Sequence, residues 1–270
     1  MQELRQGIVL TEAVEMAAQP VSVLITGANR GLGLEMVRQM LEAPCPVRKL
    51  FACCRDPDGP RAEALQTLAK KNPNISVVRL DATDLCSIKL CAQQVGSLVG
   101  TGGLNLLINN AGIAPKGTVQ ETSPEDMQHC FNTNVMGPMN IIKEFLPHLR
   151  DAVKASGMPG MSINKAAVVS ISSLLGSMEA LHSYAFFPAA SYRISKAGLN
   201  MLTVCAAEEL KKDEILFCVL HPGWVRTDMG GEEADIDPPE SVQGMLSVMA
   251  SLTEKQNGAF LDYKGQSIPW

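Results

Sequence analysis

The sequence predicts an α/β protein: a single domain with a doubly wound parallel sheet of about seven strands and helices on both faces. Three observations predict it. Short apolar, β-branched runs alternate with longer stretches of helical period along the chain, the signature of successive βαβ units with right-handed crossovers. The composition is 46% hydrophobic but only 4% aromatic, which suits strands buried on both faces better than an aromatic-rich sandwich. The 270 residues contain no linker, no fixed-period repeat and no low-complexity stretch. One domain therefore accounts for 21–270, with 1–20 standing before it as an N-terminal extension.

The expected strands are 21–26, 49–54, 75–80, 104–109, 166–172, 215–220 and a weaker 259–263. Helical periodicity fills 31–43, 60–71, 84–99, 124–151, 190–212 and 239–254 between them. Two connections are longer than the pattern needs. Residues 151–165, with Gly157, Pro159 and Gly160, lead into the fifth strand. Residues 228–240, with Gly230-Gly231 and Pro238-Pro239, carry Glu232, Glu233, Asp235, Asp237 and Glu240; they read either as a lid or as a solvated acidic surface.

A net charge of −5 argues against nucleic acid as the main partner, since phosphate-backbone binding calls for a basic excess. No apolar run approaches the ~18 residues of a membrane span. Glu3, Arg5, Glu12 and Glu15 interrupt any secretory signal, and the final Ser267-Ile268-Pro269-Trp270 matches no retention or lipidation motif. A cytoplasmic protein is expected. Its eight cysteines form no C-x-x-C pair and no zinc spacing, so they read as small buried hydrophobes in a reducing compartment.

The first strand runs straight into Gly27-Ala28-Asn29-Arg30-Gly31-Leu32-Gly33 and then a helix. Gly27 permits a tight turn, Gly31 lets backbone approach a pyrophosphate, and Gly33 lets the helix pack close to the strand, with helix N–H groups as donors. An NAD site places an acid at the end of the second strand, about 20 residues on. Here Cys54 and Arg55 stand there. No carboxylate repels a 2′-phosphate, and Arg55, with Arg30, supplies guanidinium for it. NADP(H) is the expected cofactor; the alternative makes Arg55 a surface arginine paired with Asp56 or Asp58. After the third strand, Asp81 and Ala82 approach the adenine, unless the acids at 81 and 84 are helix caps. After the fourth, Asn109-Asn110-Ala111-Gly112 offers small residues beside the ribose, and an Asn able to tie strands together.

The chemical centre is Tyr192-Arg193-Ile194-Ser195-Lys196. Positions i and i+4 share a helix face, so phenol and ammonium point the same way. A charge ~5 Å away at an effective dielectric of ~20 contributes about 3 kcal/mol, roughly two pK units, and is expected to lower the phenol from its usual value near 10. Ser172 and Ser173 end the fifth strand, where one of them can hold a carbonyl beside Tyr192. Asn134 is an amide in a helix read as buried, with a backbone carbonyl and a water leading to Lys196 as its expected partners.

Together these residues resemble the short-chain dehydrogenase/reductase family across about 21–264: Thr26-Gly27-x3-Gly31-x-Gly33, Asn109-Asn110-Ala111-Gly112, Tyr192-x3-Lys196 and Pro222-Gly223-Trp224-Val225-Arg226-Thr227. Closer still, Ile25–Leu34, Asn110–Lys116, His221–Gly231 and Glu254–Gly258 are similar to the sniffer-type carbonyl reductases and the related C-factor proteins. The resemblance implies a Rossmann fold and NADPH-dependent reduction of an aldehyde, ketone or quinone. It implies that Ser173, rather than Ser172, binds the carbonyl. Tyr192 is then the acid, Lys196 holds the ribose and lowers the tyrosine pKa, and Asn134 completes a proton relay. It also implies that the cofactor touches Pro222, Gly223, Val225 and Thr227. The chain departs from the family in 1–20 and in Leu181–Ala190, so Ser173 and Tyr192 lie farther apart than is usual and substrate identity is left open. Phe186, Phe187, Trp224 and Met229 are candidate pocket walls, and His182 stands beside them. Of the other histidines, His129, His148 and His221, none forms a metal-like pair.

Two further readings compete with a reductase. One is a catalytically silent NADP(H) sensor that acts through a protein partner and needs only the glycine turn and Arg55. The other is a steroid or retinol dehydrogenase running oxidatively, which sits better with an acid at position 54. A homo-oligomer, dimer or tetramer, is expected through the long helices near 124–151 and 190–212, by analogy with related folds.

Overall fold

The computed structural model describes residues 21–43, 47–180 and 187–270. The expected extension over 1–20, Cys45, and the pocket residues 181–186, including His182 and Phe186, lie outside the described residues.

Seven parallel strands form one sheet: β1 Ser22–Thr26, β2 Lys49–Cys54, β3 Ile75–Arg79, β4 Leu106–Asn109, β5 Ala167–Ile171, β6 Leu216–His221 and β7 Ala259–Asp262. The helices are α1 Gly31–Glu42, α2 Glu63–Lys71, α3 Leu85–Val99, α4 Pro124–Phe131, α5 Gly137–Ser156, α6 Ala190–Glu209 and α7 Pro238–Ser251. The strand order is β3-β2-β1-β4-β5-β6-β7. Chain direction across the sheet therefore reverses between β1 and β4, and a doubly wound sheet opens its ligand crevice at that point, beyond the carboxyl ends of the strands.

Alternation along each strand splits the core in two. Val23 and Ile25 of β1, Leu50 and Ala52 of β2 and Val169 of β5 face α1 and α7, meeting Met36, Val37, Met245 and Met249. Leu24, Phe51, Leu107 and Val168 face the other way, onto Ile88 and Val95 of α3 and Ile141 and Phe145 of α5. Full burial stabilises each such large side chain by about 1.5–3 kcal/mol. This two-sided burial is why the strands read as unbroken apolar runs. The edge strand β7 is covered by the chain folding back: Ile268 N–H donates to Phe260 O at 2.9 Å, and Trp270 stacks on Phe260 with ring centres 5.4 Å apart.

Two helix bounds differ from expectation. The stretch 124–151 is not one helix. α4 and α5 are separated by a π-turn, Asn132–Met136, which inserts an extra residue that hydrophobic periodicity does not register. α5 then runs on to Ser156 and stops at Gly157, whose φ of 60° is the left-handed helix end that glycine permits; the first part of the expected long connection, 151–156, is thus helix. The acidic stretch after β6 is laced to the 222–227 loop. Arg226 donates to Asp237 at 2.6 Å and to the Ala234 carbonyl, and Val225 bridges Ile236.

Candidate active site

The described site residues lie past the carboxyl ends of strands, on the helices that cover that edge or, for Asn134, on the π-turn. After β1, Gly27 (φ 66°) and Gly31 (φ 53°) adopt left-handed backbone. A Cβ on Gly33 would sit 2.3 Å from the Gly27 oxygen and 2.7 Å from Asn110 Nδ2, so only glycine lets α1 meet the turn. A Cβ on Gly31 would reach 3.8 Å from the Thr227 methyl, which brings the loop after β6 to the same turn, and Leu32 packs against the core below it. Asn110 donates its amide to the oxygens of Thr26 (2.9 Å) and Gly27 (3.3 Å). Those protons are thus spent on tying β4 to β1. Ala111 and Gly112 follow at the crevice.

Arg55, after β2, is exposed and among the described residues pairs with neither Asp56 nor Asp58. Asn29 Nδ2 donates 3.3 Å to the Arg61 oxygen, closing the glycine turn against the loop that follows Arg55. Arg30 is turned away from β2, to Asp228 at 2.7 Å. That pair is half to four-fifths exposed and is worth about 0.2–1 kcal/mol, too little to withhold the guanidinium from a phosphate. Asp84 caps α3 by accepting from Cys86 N–H at 2.8 Å, while Asp81 holds Thr83 through one oxygen only. Ala82 is buried beneath Gly137. Past β6, Ser241 donates to the Pro222 oxygen at 2.6 Å, Gly223 has a φ of 84°, and Val225 is buried. A turn of left-handed glycines, helix N–H groups and a guanidinium beside the second strand fit a dinucleotide carrying a 2′-phosphate.

At the other end of the crevice Ser173, Tyr192 and Lys196 come together. Ser172 donates to Asn200 Oδ1 at 2.6 Å and so faces α6, whereas Ser173 Oγ accepts from Leu175 N–H at 3.2 Å and is close enough to the Tyr192 phenol to favour its ionised form. Lys196 Nζ donates to the Ile171 oxygen at 2.8 Å and stands 5.6 Å from the Tyr192 ring centre. Gly112 keeps space beside it, since a Cβ there would lie 3.6 Å from Nζ. Ile113, Ala114, Leu175 and Phe187 pack apolar surface around Tyr192. Trp224 and Met229 lie about half exposed on the loop after β6, with the Trp224 indole N–H donating to the Gly230 oxygen at 2.8 Å.

Electrostatics correct one expectation. The phenol is not lowered overall. Burial pushes Tyr192 up to about 12, and the Ser173 hydrogen bond offsets only part of it. Burial likewise pulls Lys196 down to about 8, against the opposing effect of Cys130. Stripping water from phenolate costs more here than the neighbouring amine returns. Asn134 reaches the Ile113 carbonyl as expected, and its other amide proton goes to Ser195 Oγ at 2.9 Å. Ser195 and Cys130 were not singled out in the sequence; the available signal was a hydroxyl three residues after the tyrosine, on the same helix face. Five described cysteines are buried as expected, but Cys86 and Cys205 are exposed. His129 is exposed, and His148 bonds the Ala92 oxygen at 3.1 Å. Among the described residues no His, Cys, Asp or Glu cluster could hold a metal, and no helix is long and apolar enough to cross a membrane.

A glycine turn at the switch point and a buried Ser–Tyr–Lys set at the same edge define a nucleotide-fold oxidoreductase. The chain belongs to the short chain dehydrogenase family, whose model matches residues 21–237. It is similar to an NADPH-bound carbonyl reductase from chicken fatty liver, with 45% identity, a TM-score of 0.91 and coverage of 94% of this chain and 95% of that one. It is also similar to the carbonyl reductase Sniffer of D. melanogaster, at 36% identity and a TM-score of 0.89 over 93% of this chain and 100% of that one. The C-signal protein of Myxococcus xanthus is 35% identical over 173 residues, 64% of this chain and 96% of that protein.

Proposed function

We propose that the protein is an NADPH-dependent carbonyl reductase acting on an aldehyde, ketone or quinone. The observation that carries this reading is the burial of Tyr192, Ser173 and Lys196 together at the carboxyl edge of β5, next to the switch-point crevice. Gly27, Gly31 and Gly33 take the pyrophosphate, Arg55 the 2′-phosphate, and Asp81 the adenine through its remaining oxygen. Bound NADPH supplies the hydride and, once oxidised, a nicotinamide charge that favours the tyrosinate.

The chain's own groups do the rest. Ser173 Oγ and Tyr192 Oη hold the substrate oxygen. A phenol pushed up to about 12 keeps its proton through neutral pH, so Tyr192 enters the reaction as a proton donor. Lys196, anchored on Ile171 O, orients the ribose and supplies positive charge beside the phenol as it deprotonates. Asn134 holds Ile113 on both its N–H and its carbonyl, at 3.0 and 2.8 Å. The apolar wall of Ile113, Leu175 and Phe187 favours an apolar carbonyl and keeps water from the site.

The small-molecule reading extends to assembly and place. Phe131, Met136, Ile194 and Met201 leave apolar surface on α4, the π-turn and α6, which supports a homo-oligomer through those helices; sedimentation tests it. Seven free thiols among the described residues support a cytoplasmic, reducing setting, testable by fractionation. The deciding experiment is oxidation of NADPH against quinones, α-dicarbonyls and aliphatic aldehydes. Tyr192→Phe should lose about 10²–10⁴ in turnover while binding NADPH as before. Tight NADPH binding with no turnover by the unmodified protein would favour the sensor reading.

A further inference from the structure

The π-turn places Asn134, 1% exposed, where both of its amide protons are committed and its oxygen accepts one bond. Oδ1 accepts from Ile113 N–H at 3.0 Å, and Nδ2 donates to the Ile113 carbonyl at 2.8 Å and to Ser195 Oγ at 2.9 Å. Ser195 is wholly buried. Its hydroxyl proton goes to the main-chain carbonyl of Tyr192 at 2.8 Å, and the Cys130 thiol donates to Ser195 Oγ at 3.5 Å. A hydroxyl has one proton and two lone pairs, so Ser195 is saturated. It joins the carbonyl of Tyr192 to the side chain that, among the described residues, grips Ile113 at both ends.

That junction matters because of what lies beside Ile113. Gly112 precedes it, and a Cβ on Gly112 would fall 3.2 Å from Asn134 Oδ1 and 3.6 Å from Lys196 Nζ. The Gly112–Ile113 backbone is therefore the wall beside the lysine amine, and its distance from α6 is set through Asn134. We propose that Ser195 is a positioning residue of this site: it fastens Asn134 to the Tyr192 main chain and so fixes the Gly112–Ile113 wall against Lys196. It touches neither substrate nor cofactor. Cys130 fills the second lone-pair position and completes the same dry pocket.

This inference rests on the reductase reading for its kinetic consequence but not for its structural one, and the test separates the two. Ser195→Ala leaves the Asn134 proton that Oγ accepted with only the weakly accepting Cys130 sulfur, 3.4 Å away, in a dry pocket. It should lower kcat about tenfold or more, leave KM for NADPH within about twofold, and shift the pH profile of kcat. Asn134→Ala should cost at least as much, and the double variant no more than Asn134→Ala alone, because the two residues act in series. Ser195→Thr, which keeps the hydroxyl, should recover most of the loss. Independently of turnover, amide hydrogen exchange should show lost protection over 111–114 in Ser195→Ala. If Ser195→Ala does not fold, Ser195→Cys carries the same readouts, with an intermediate loss expected from its weaker acceptor. Full additivity of the two alanine variants, or unchanged exchange over 111–114, overturns the proposal. Absence of turnover in the unmodified protein counts against the reductase reading, while the exchange arm still decides the clamp.

Discussion

The Lys196 ammonium nitrogen lies 5.6 Å from the centre of the Tyr192 ring, one helical turn away, and is held there by the Ile171 carbonyl at the last residue of β5. Helix and sheet edge are thereby joined at the reacting groups. The burial that makes the pair rigid also works against the charge on each member, and that conflict is measurable.

Lys196→Met should stabilise the fold and abolish turnover. Burial lowers the lysine from 10.5 to about 8, so below pH 8 the folded chain bears the whole cost of an ammonium out of water, up to about 3 kcal/mol. Between about 8 and 10.5 the unfolded chain binds more protons, and stability of the unmodified protein rises with pH. Denaturant titration at pH 7 and pH 10 should show the variant's advantage at the lower pH and its disappearance at the higher.

His221 should make the fold sensitive to acid. Burial brings its imidazole down to about 4, although Asp262 opposes the shift, and its Nδ1 is buried without a partner. A depressed imidazole takes up protons in the unfolded chain first, so stability falls as pH drops from about 6.5 toward 4, by at most about 3 kcal/mol. In His221→Gln the melting temperature should fall less over that interval. An equal fall in both proteins would remove His221 as the source.

Gly33→Ala should destabilise the protein by about 1–3 kcal/mol and weaken NADPH binding together. The added carbon meets the Gly27 carbonyl and the Asn110 amide, both main supports of the turn, so neither can yield without opening β1 from β4. Thermal melting and NADPH titration check both losses. Gly157→Ala, at a helix end with open space around it, should affect stability alone.

Arg55→Ala should raise the dissociation constant for NADPH by about 10–100-fold and leave that for NADH nearly unchanged. Comparable weakening of both cofactors would mean that the arginine acts through the loop to Arg61 instead of on a phosphate.

The sheet was legible because each strand is buried on both sides and the chain marks it with an unbroken apolar run; the glycine turn and the Tyr192–Lys196 face were legible because both are local. What escaped reading is what depends on partners distant in sequence or on phase. Asp228 meets Arg30 across 198 positions, and nothing near either residue announces the other. The lowering of Tyr192 was expected from one neighbour's charge, when its sign is decided by how many others exclude water. In 124–151 the apolar spacing alone reads as one helix, and the mark of a break is Gly137-Pro138, just after Asn132–Met136.

That extra residue sets a mechanical phase. Each α-helical residue advances about 100°, so the insertion turns α4 by about that angle relative to α5 and aims Asn134 at Ile113. Deleting one residue from 132–136 would change that phase and swing the carboxamide away. The two cores on either side of the sheet and the glycine turn would be untouched. A single in-frame codon loss is thus a short genetic path from a protein that turns over its cofactor to one that only holds it.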